Sequence, residues 1–140
     1  MTTAIGCGQN VGVDEGATVS VYVAALLCAE AERELARRGA EVGDVNVHAI
    51  CLPRAESGSK LDLAAIGANA RRATEDSRSI AYIGEPTRAA SRFAEPILDE
   101  AGIAQLSQLS GTRAMHKLLE AVDQADSSTS LRASVLEDLS

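Results

Sequence analysis

Two short polar segments carry the residue types best suited to hold an anion. Glu85-Pro86-Thr87-Arg88 closes the apolar run Ile80–Ile83, and Ser107-Gln108-Leu109-Ser110 closes the run that begins after Gly102. A guanidinium forms short, charge-assisted bonds to carboxylates. A helix that starts near Thr87 adds free N–H groups and the positive end of its dipole. Thr87, Arg88, Ser107 and Ser110 are therefore the candidate ligand-binding residues, and a small carboxylate over 84–88 and 107–112 is the ligand class they suit. A plainer reading stands beside this one: Thr87 caps its helix and Arg88 sits in solvent.

The elements that must position these residues alternate. Strands are expected at Thr18–Leu26, Asp44–Leu52, Ser79–Gly84 and Ile103–Leu109, with helices near Cys28–Arg38, Lys60–Glu75, Thr87–Ala101, Thr112–Gln124 and Leu131–Leu139. Leu27, Ala31 and Leu35 form one apolar helix face, Leu63, Ile66, Ala70 and Ala73 a second, and Ala90, Phe93, Ile97 and Ala101 a third. Pro96 falls inside that third helix, where it removes a backbone donor. Pro53–Ser59 reads as loop, and Ser130 as the cap of the last helix. Short, right-handed βαβ units predict an α/β fold with three αβα layers. The sheet is expected to be parallel and four-stranded, in the order 2-1-3-4. Ligands in such sheets bind at the carboxyl ends of the strands. The chain divides into a flexible tail over 1–16, an α/β lobe over 17–125, and a linker with a C-terminal helix over 126–140.

Composition narrows the function. At 140 residues the chain suits one domain, and with one Phe, two Tyr and no Trp its core must be built from Ala, Val, Leu and Ile. Few aromatics disfavour base stacking, and a formal charge of −7 disfavours nucleic acid altogether. Arg37-Arg38 and Arg71-Arg72 sit near helix C-termini, where the dipole welcomes them. The longest apolar run, Val21–Ala29, is about half of what a membrane span needs.

Of the three cysteines, Cys28 and Cys51 follow or end consecutive strands, which usually neighbour each other. Strands lie ~4.8 Å apart, within the Cα range of disulfides. A bond between Cys28 and Cys51 would close a loop of roughly 24 residues and stabilise by about 3 kcal/mol. Two buried free thiols are the alternative. Other chemistry lacks its signatures. No Gly-x-Gly-x-x-Gly, P-loop or nucleophile elbow is present, and His48 and His116 have no Cys or His at ligand spacing. No metal and no cofactor is expected, and no enzyme activity. A phosphoacceptor receiver domain would need an acidic pair after strand one and an Asp ending strand three; Ala24-Ala25 and Gly84-Glu85 stand there.

Ala4-Ile5-Gly6-Cys7-Gly8 resembles the end of a bacterial lipoprotein signal, although residues 1–6 do not supply the hydrophobic run that precedes it in that family. The resemblance implies Cys7 as the lipid anchor; a tail with an incidental cysteine is the alternative. Leu61–Ser110 resembles the amino-terminal lobe of type I periplasmic-binding proteins, the branched-chain amino-acid-binding group of ABC transporters. The residues that carry this are Asn69-Ala70-Arg71-Arg72-Ala73 with Asp76, Ala81-Tyr82-Ile83-Gly84, Ser91, and Ile97–Ser107. The resemblance implies that a hydroxyl after the strand-three Gly grips a ligand carboxylate and that a second group follows strand four. By position these are Thr87 or Arg88, and Ser107 or Ser110. Leu27-Cys28-Ala29-Glu30 replaces the family's Gly-containing loop, and Cys51-Leu52-Pro53 replaces its acidic pair. The family encloses its ligand between two lobes, and the expectation here is a single one.

Together these features imply an extracytoplasmic, non-catalytic solute-binding or sensing protein. It would hold a small anionic or amino-acid-like ligand and touch the outer face of the cell membrane only through a lipid. The alternative is a single-lobe interaction module that has lost its ligand. A homodimer is expected in either case. Its surface would come from Leu118, Leu119, Val122, Leu131, Val135 and Leu139, half of which must face away from the sheet unless the last helix folds back.

Overall fold

Alternating Val residues in the first strand require one covered face, and Tyr22 between them takes a second. In the computed structural model, which describes residues 17–57, 60–125 and 130–140, β1 spans Ala17–Val23. Val19, Val21 and Val23 enter one core while Tyr22 enters the other. Helix α1 (Ala25–Arg37) follows. Next come β2 (Glu41–Val42) and β3 (Val45–Cys51), then a separate hairpin of β4 (Glu56–Ser57) and β5 (Lys60–Leu61). The rest of the chain is α2 (Leu63–Thr74), β6 (Ser79–Ile83), α3 (Arg88–Glu100), β7 (Ala104–Leu106), α4 (Gly111–Asp123) and α5 (Leu131–Leu139).

The fold is α/β, but the sheet is not the parallel four-stranded one expected. It is mixed and five-stranded, in the order β2-β3-β1-β6-β7. The antiparallel strand is β2, paired with β3 through Glu41↔Asn46 and Val42↔Val45. Gly43-Asp44 turns the chain between them, with Gly43 at φ +60°, a two-residue hairpin connection. Two strand residues are too few to show alternation in sequence, so the hairpin left no periodic signal. The same holds for Glu56–Ser57, within the stretch expected to be loop, and for Lys60–Leu61, expected to open the second helix; the two pair with each other, and the helix begins only at Leu63.

The remaining pairs, β3 with β1, β1 with β6 and β6 with β7, are parallel. Their registers align Cys51, Val23, Ile83 and Leu106 in one row at the carboxyl edge. One face of the sheet carries α1, α4 and α5 over a core that includes Leu27, Ala31, Leu35, Met115, Leu118 and Val135. The other carries α2 and α3 over Ile66, Ala70, Ala73, Ala90, Ala94 and Leu98.

Helix faces differ from expectation at two positions. Leu63 opens α2 and is exposed, because Asp62 caps the helix just before it, accepting the Ala65 amide at 3.1 Å. Phe93 is 41% exposed, and the buried stripe of α3 runs Ala90, Ala94, Leu98 instead. Phe93 lies on the flank of α3, where an added Cβ on Gly67 of α2 would meet its ring at 3.3 Å. The six residues from which a dimer surface was argued are covered by the chain itself. Leu118, Leu119, Val122, Leu131 and Val135 are buried, and Leu139 packs against them, since α5 folds back beside α4. Among the described residues no helix is long and apolar enough to cross a membrane. Cys7 and the tail to residue 16 lie outside the described residues.

Candidate functional site

The chain leaves β6 through Gly84-Glu85-Pro86 and enters α3 at Thr87, so the start of α3 stands over the carboxyl edge of the sheet. Thr87 is extended and its hydroxyl accepts the Ala90 amide at 3.3 Å, which makes it the N-cap. That leaves the other first-turn amides, which lack intrahelical acceptors in any α-helix. Arg88 and Ser107 line one cleft of about 220 Å³, together with Ser91, Arg92, Glu95, Gln105 and Gln108. Two guanidiniums and one carboxylate, all from α3, thus line one wall of it. Arg88 and Arg92 are exposed, and neither side chain has an ion-pair or hydrogen-bond partner among the described residues.

Beneath the cleft the polar groups are fixed. The Tyr82 hydroxyl donates to Glu85 Oε2 at 2.6 Å, and both residues are buried. The Ser91 hydroxyl and the Gln108 amide both donate to the Glu85 carbonyl, at 3.1 Å each. Gln105 Nε2 donates to the Gly84 carbonyl at 3.0 Å and to the Ser91 carbonyl at 3.4 Å. Burial, then the charge of Glu85 and the bond to it, push the Tyr82 phenol far above its ordinary range. Tyr82 is therefore a neutral donor at every physiological pH. The floor is held by one network of Tyr82 from β6, Gly84 and Glu85 from the turn after it, Ser91 from α3, and Gln105 and Gln108 from the segment after Ile103.

The four expected binding residues are not brought together. Arg88 and Ser107 share the cleft, and Thr87 is spent on its cap. Ser110 caps α4, accepting the Arg113 amide at 3.1 Å. It lines a different groove, of about 700 Å³, with Glu34, Arg37, Thr112, Arg113, His116 and Lys117. The reason is topological: α3 covers one face of the sheet and α4 the other, so the chain crosses the edge between Ser107 and Ser110. Gln108 makes that crossing with φ +61°.

Glu34, in that second groove, was not visible as special in the sequence. It is 6% exposed and accepts Arg37 Nη2 at 2.7 Å and Nε at 3.0 Å, while His116 Nδ1 faces it at 3.5 Å. The Arg37 bond, aided by His116 and opposed by burial, holds its carboxyl below the usual range. The signal available was the i,i+3 spacing to Arg37; His116 comes from another helix.

Cys28 and Cys51 are bonded, with Cα atoms 5.7 Å apart. The bond ties the start of α1 to the end of β3 on the carboxyl edge. Comparison of the chain with protein-family models, with curated proteins and with solved structures gives no match.

Proposed function

We propose that this lobe is a non-catalytic, small-anion-binding module, holding a carboxylate or an amino-acid-like ligand in the cleft between α3 and the turn after β7. One observation carries the reading. Two guanidiniums without partners among the described residues, Arg88 and Arg92, stand beside Ser107 over a hydrogen-bonded floor at the carboxyl edge of the sheet. Exposed cations above a fixed polar base favour an anion through charge-assisted bonds at little ordering cost to the protein. The resemblance to the amino-terminal lobe of periplasmic-binding proteins supports the same reading. Its motif residues Tyr82, Gly84, Ser91 and Gln105 are among those that build the floor, with Glu85 and Gln108. A disulfide supports an extracytoplasmic setting.

The test is a thermal-shift series with small mono- and dicarboxylates and amino acids. A stabilising ligand is expected, and Arg88→Ala is expected to abolish its shift. The unliganded stability should move by no more than about 0.5 kcal/mol, as for an exposed residue without partners. A shift that survives in Arg88→Ala sinks the assignment.

A second reading, a homodimeric interaction module without a ligand, draws on the exposed Leu26, Leu63 and Phe93. Light scattering separates the two: a dimer that dissociates in Phe93→Ser, with no shift from any ligand, favours the module.

A further inference from the structure

The carboxyl edge holds a second cluster with a different chemistry. Cys28 lies in the first turns of α1, and Glu32 is one turn further along the same helix. Cys51 ends β3, opposite Val23. The two sulfurs and a Glu32 carboxylate oxygen all lie within 4.8 Å of one another. Cys28 is buried, while Cys51 and Glu32 are exposed.

We propose that reduction of Cys28–Cys51 opens a three-ligand site for a thiophilic divalent cation, of which zinc is the type. Two thiolates and a carboxylate form a set that zinc accepts, with a fourth tetrahedral position for water. Zn–S bonds of ~2.3 Å at the tetrahedral angle place two sulfurs about 3.8 Å apart. The sulfurs of a disulfide, ~2.05 Å apart, must therefore separate by under 2 Å. Cys51 allows this, since β2 pairs only with Val45 and Asn46 and leaves the far end of β3 open on that side.

The steps balance with a dithiol as reductant. One thiolate of the reductant attacks the exposed Cys51 sulfur and expels the Cys28 thiolate. Its second thiolate then closes on the first, releasing the Cys51 thiolate and the oxidised reductant. Two electrons pass to the protein, and each thiolate takes up one proton from the reductant pair. The cation then displaces those two protons. Departure of Cys28 as thiolate is eased by its place near the N-terminus of α1, whose first turn contains no acidic residue.

The test uses the full chain with Cys7→Ser, so that Cys28 and Cys51 are its only thiols. The protein is reduced with a phosphine, desalted under argon and titrated with Co²⁺. One equivalent is expected to give sulfur-to-cobalt charge-transfer bands and visible bands of tetrahedral intensity, which Zn²⁺ removes. Oxidised protein should give neither, and Cys51→Ser should abolish both. Glu32→Gln, which leaves the disulfide in place, should weaken Zn²⁺ at least about tenfold, since even outer partners of a metal cost that much. Any of four results overturns the proposal: no bands in reduced protein, bands that persist in Cys51→Ser, unchanged Zn²⁺ affinity in Glu32→Gln, or loss of the far-ultraviolet circular dichroism on reduction.

Discussion

Single side chains decide most of the pH response. Asp76 receives the Tyr22 hydroxyl at 2.8 Å and the Arg78 amide at 2.9 Å. Burial pushes its carboxyl upward, but the Arg78 amide, with the Tyr22 and Ser20 hydroxyls, outweighs burial and holds it below the usual range. That stability is complete above the unfolded carboxyl value of ~3.9, and is lost as pH falls through the folded one. Tyr22 behaves in the opposite sense. Burial first, then the bond and charge of Asp76, push its phenol up to about 12. Its contribution is complete below the unfolded value of ~10, and drains away as pH rises toward the folded one. Tyr22→Phe is expected to cost about 1.5 kcal/mol at neutral pH, and to flatten the fall in Tm above pH 10; an unchanged alkaline slope would count against it. Some local chemistry was readable from sequence where the partner is near in the chain: Thr87 and Ser130 each serve three residues on, as caps do. Glu32, Glu34 and Asp76 were not, because Cys51, His116 and Tyr22 reach them from other elements.

Elements were legible as types and blurred at their edges. All five helices exist near their expected places, because each has an apolar stripe at helical spacing. The hairpins were missed because two-residue strands have no period, and Phe93 was turned inward because it falls at helical spacing from Ala90 and Ile97. It is the largest side chain of α3, but it lies off the face that buries Ala90, Ala94 and Leu98, with Ile97 and Ala101 partly covered against the same core. Close packing of small residues has its sharpest expression where α4 begins. A Cβ on Gly111 would run into the Leu27 carbonyl and lie 2.9 Å from both the Ala31 amide nitrogen and Glu30 Cβ. Glu30 accepts the Gly111 amide at 2.9 Å across the same contact. Gly→Ala in a helix ordinarily stabilises by about 0.5–1 kcal/mol. Here overpacking against backbone atoms outweighs that, so Gly111→Ala is expected to destabilise by about 1–3 kcal/mol in urea unfolding. A stabilised variant would show that α1 and α4 can part freely.

At the scale of the whole molecule, α5 closes the structure. Leu131 and Val135 are fully buried, and Arg132 donates to the Ser79 carbonyl at 2.7 Å, the Asp76 carbonyl at 3.0 Å and the Ala101 carbonyl at 3.4 Å. One guanidinium thus gathers the turns before β6 and before β7 onto the last helix. Arg132→Met keeps the apolar stem but leaves those carbonyls without their donor, for an expected loss of about 2–4 kcal/mol. A loss under 0.5 kcal/mol would show that water replaces it. The sequence pattern placed α5 correctly but not its role. Burial of half a helix can be read from spacing, whereas the choice between a second copy and the chain's own sheet depends on where three distant carbonyls converge.

Tyr22 and Tyr82 face each other in register on adjacent strands, and both enter the same core. One hydroxyl points back to Asp76 before β6, the other forward to Glu85 at the cleft. In a chain with no Trp, ultraviolet emission comes from these two phenols. With Tyr22→Phe in place the molecule carries a single native fluorophore, hydrogen-bonded to the residue whose carbonyl anchors the cleft floor. Binding of the proposed anion in that cleft would then be read as an optical signal that needs no label.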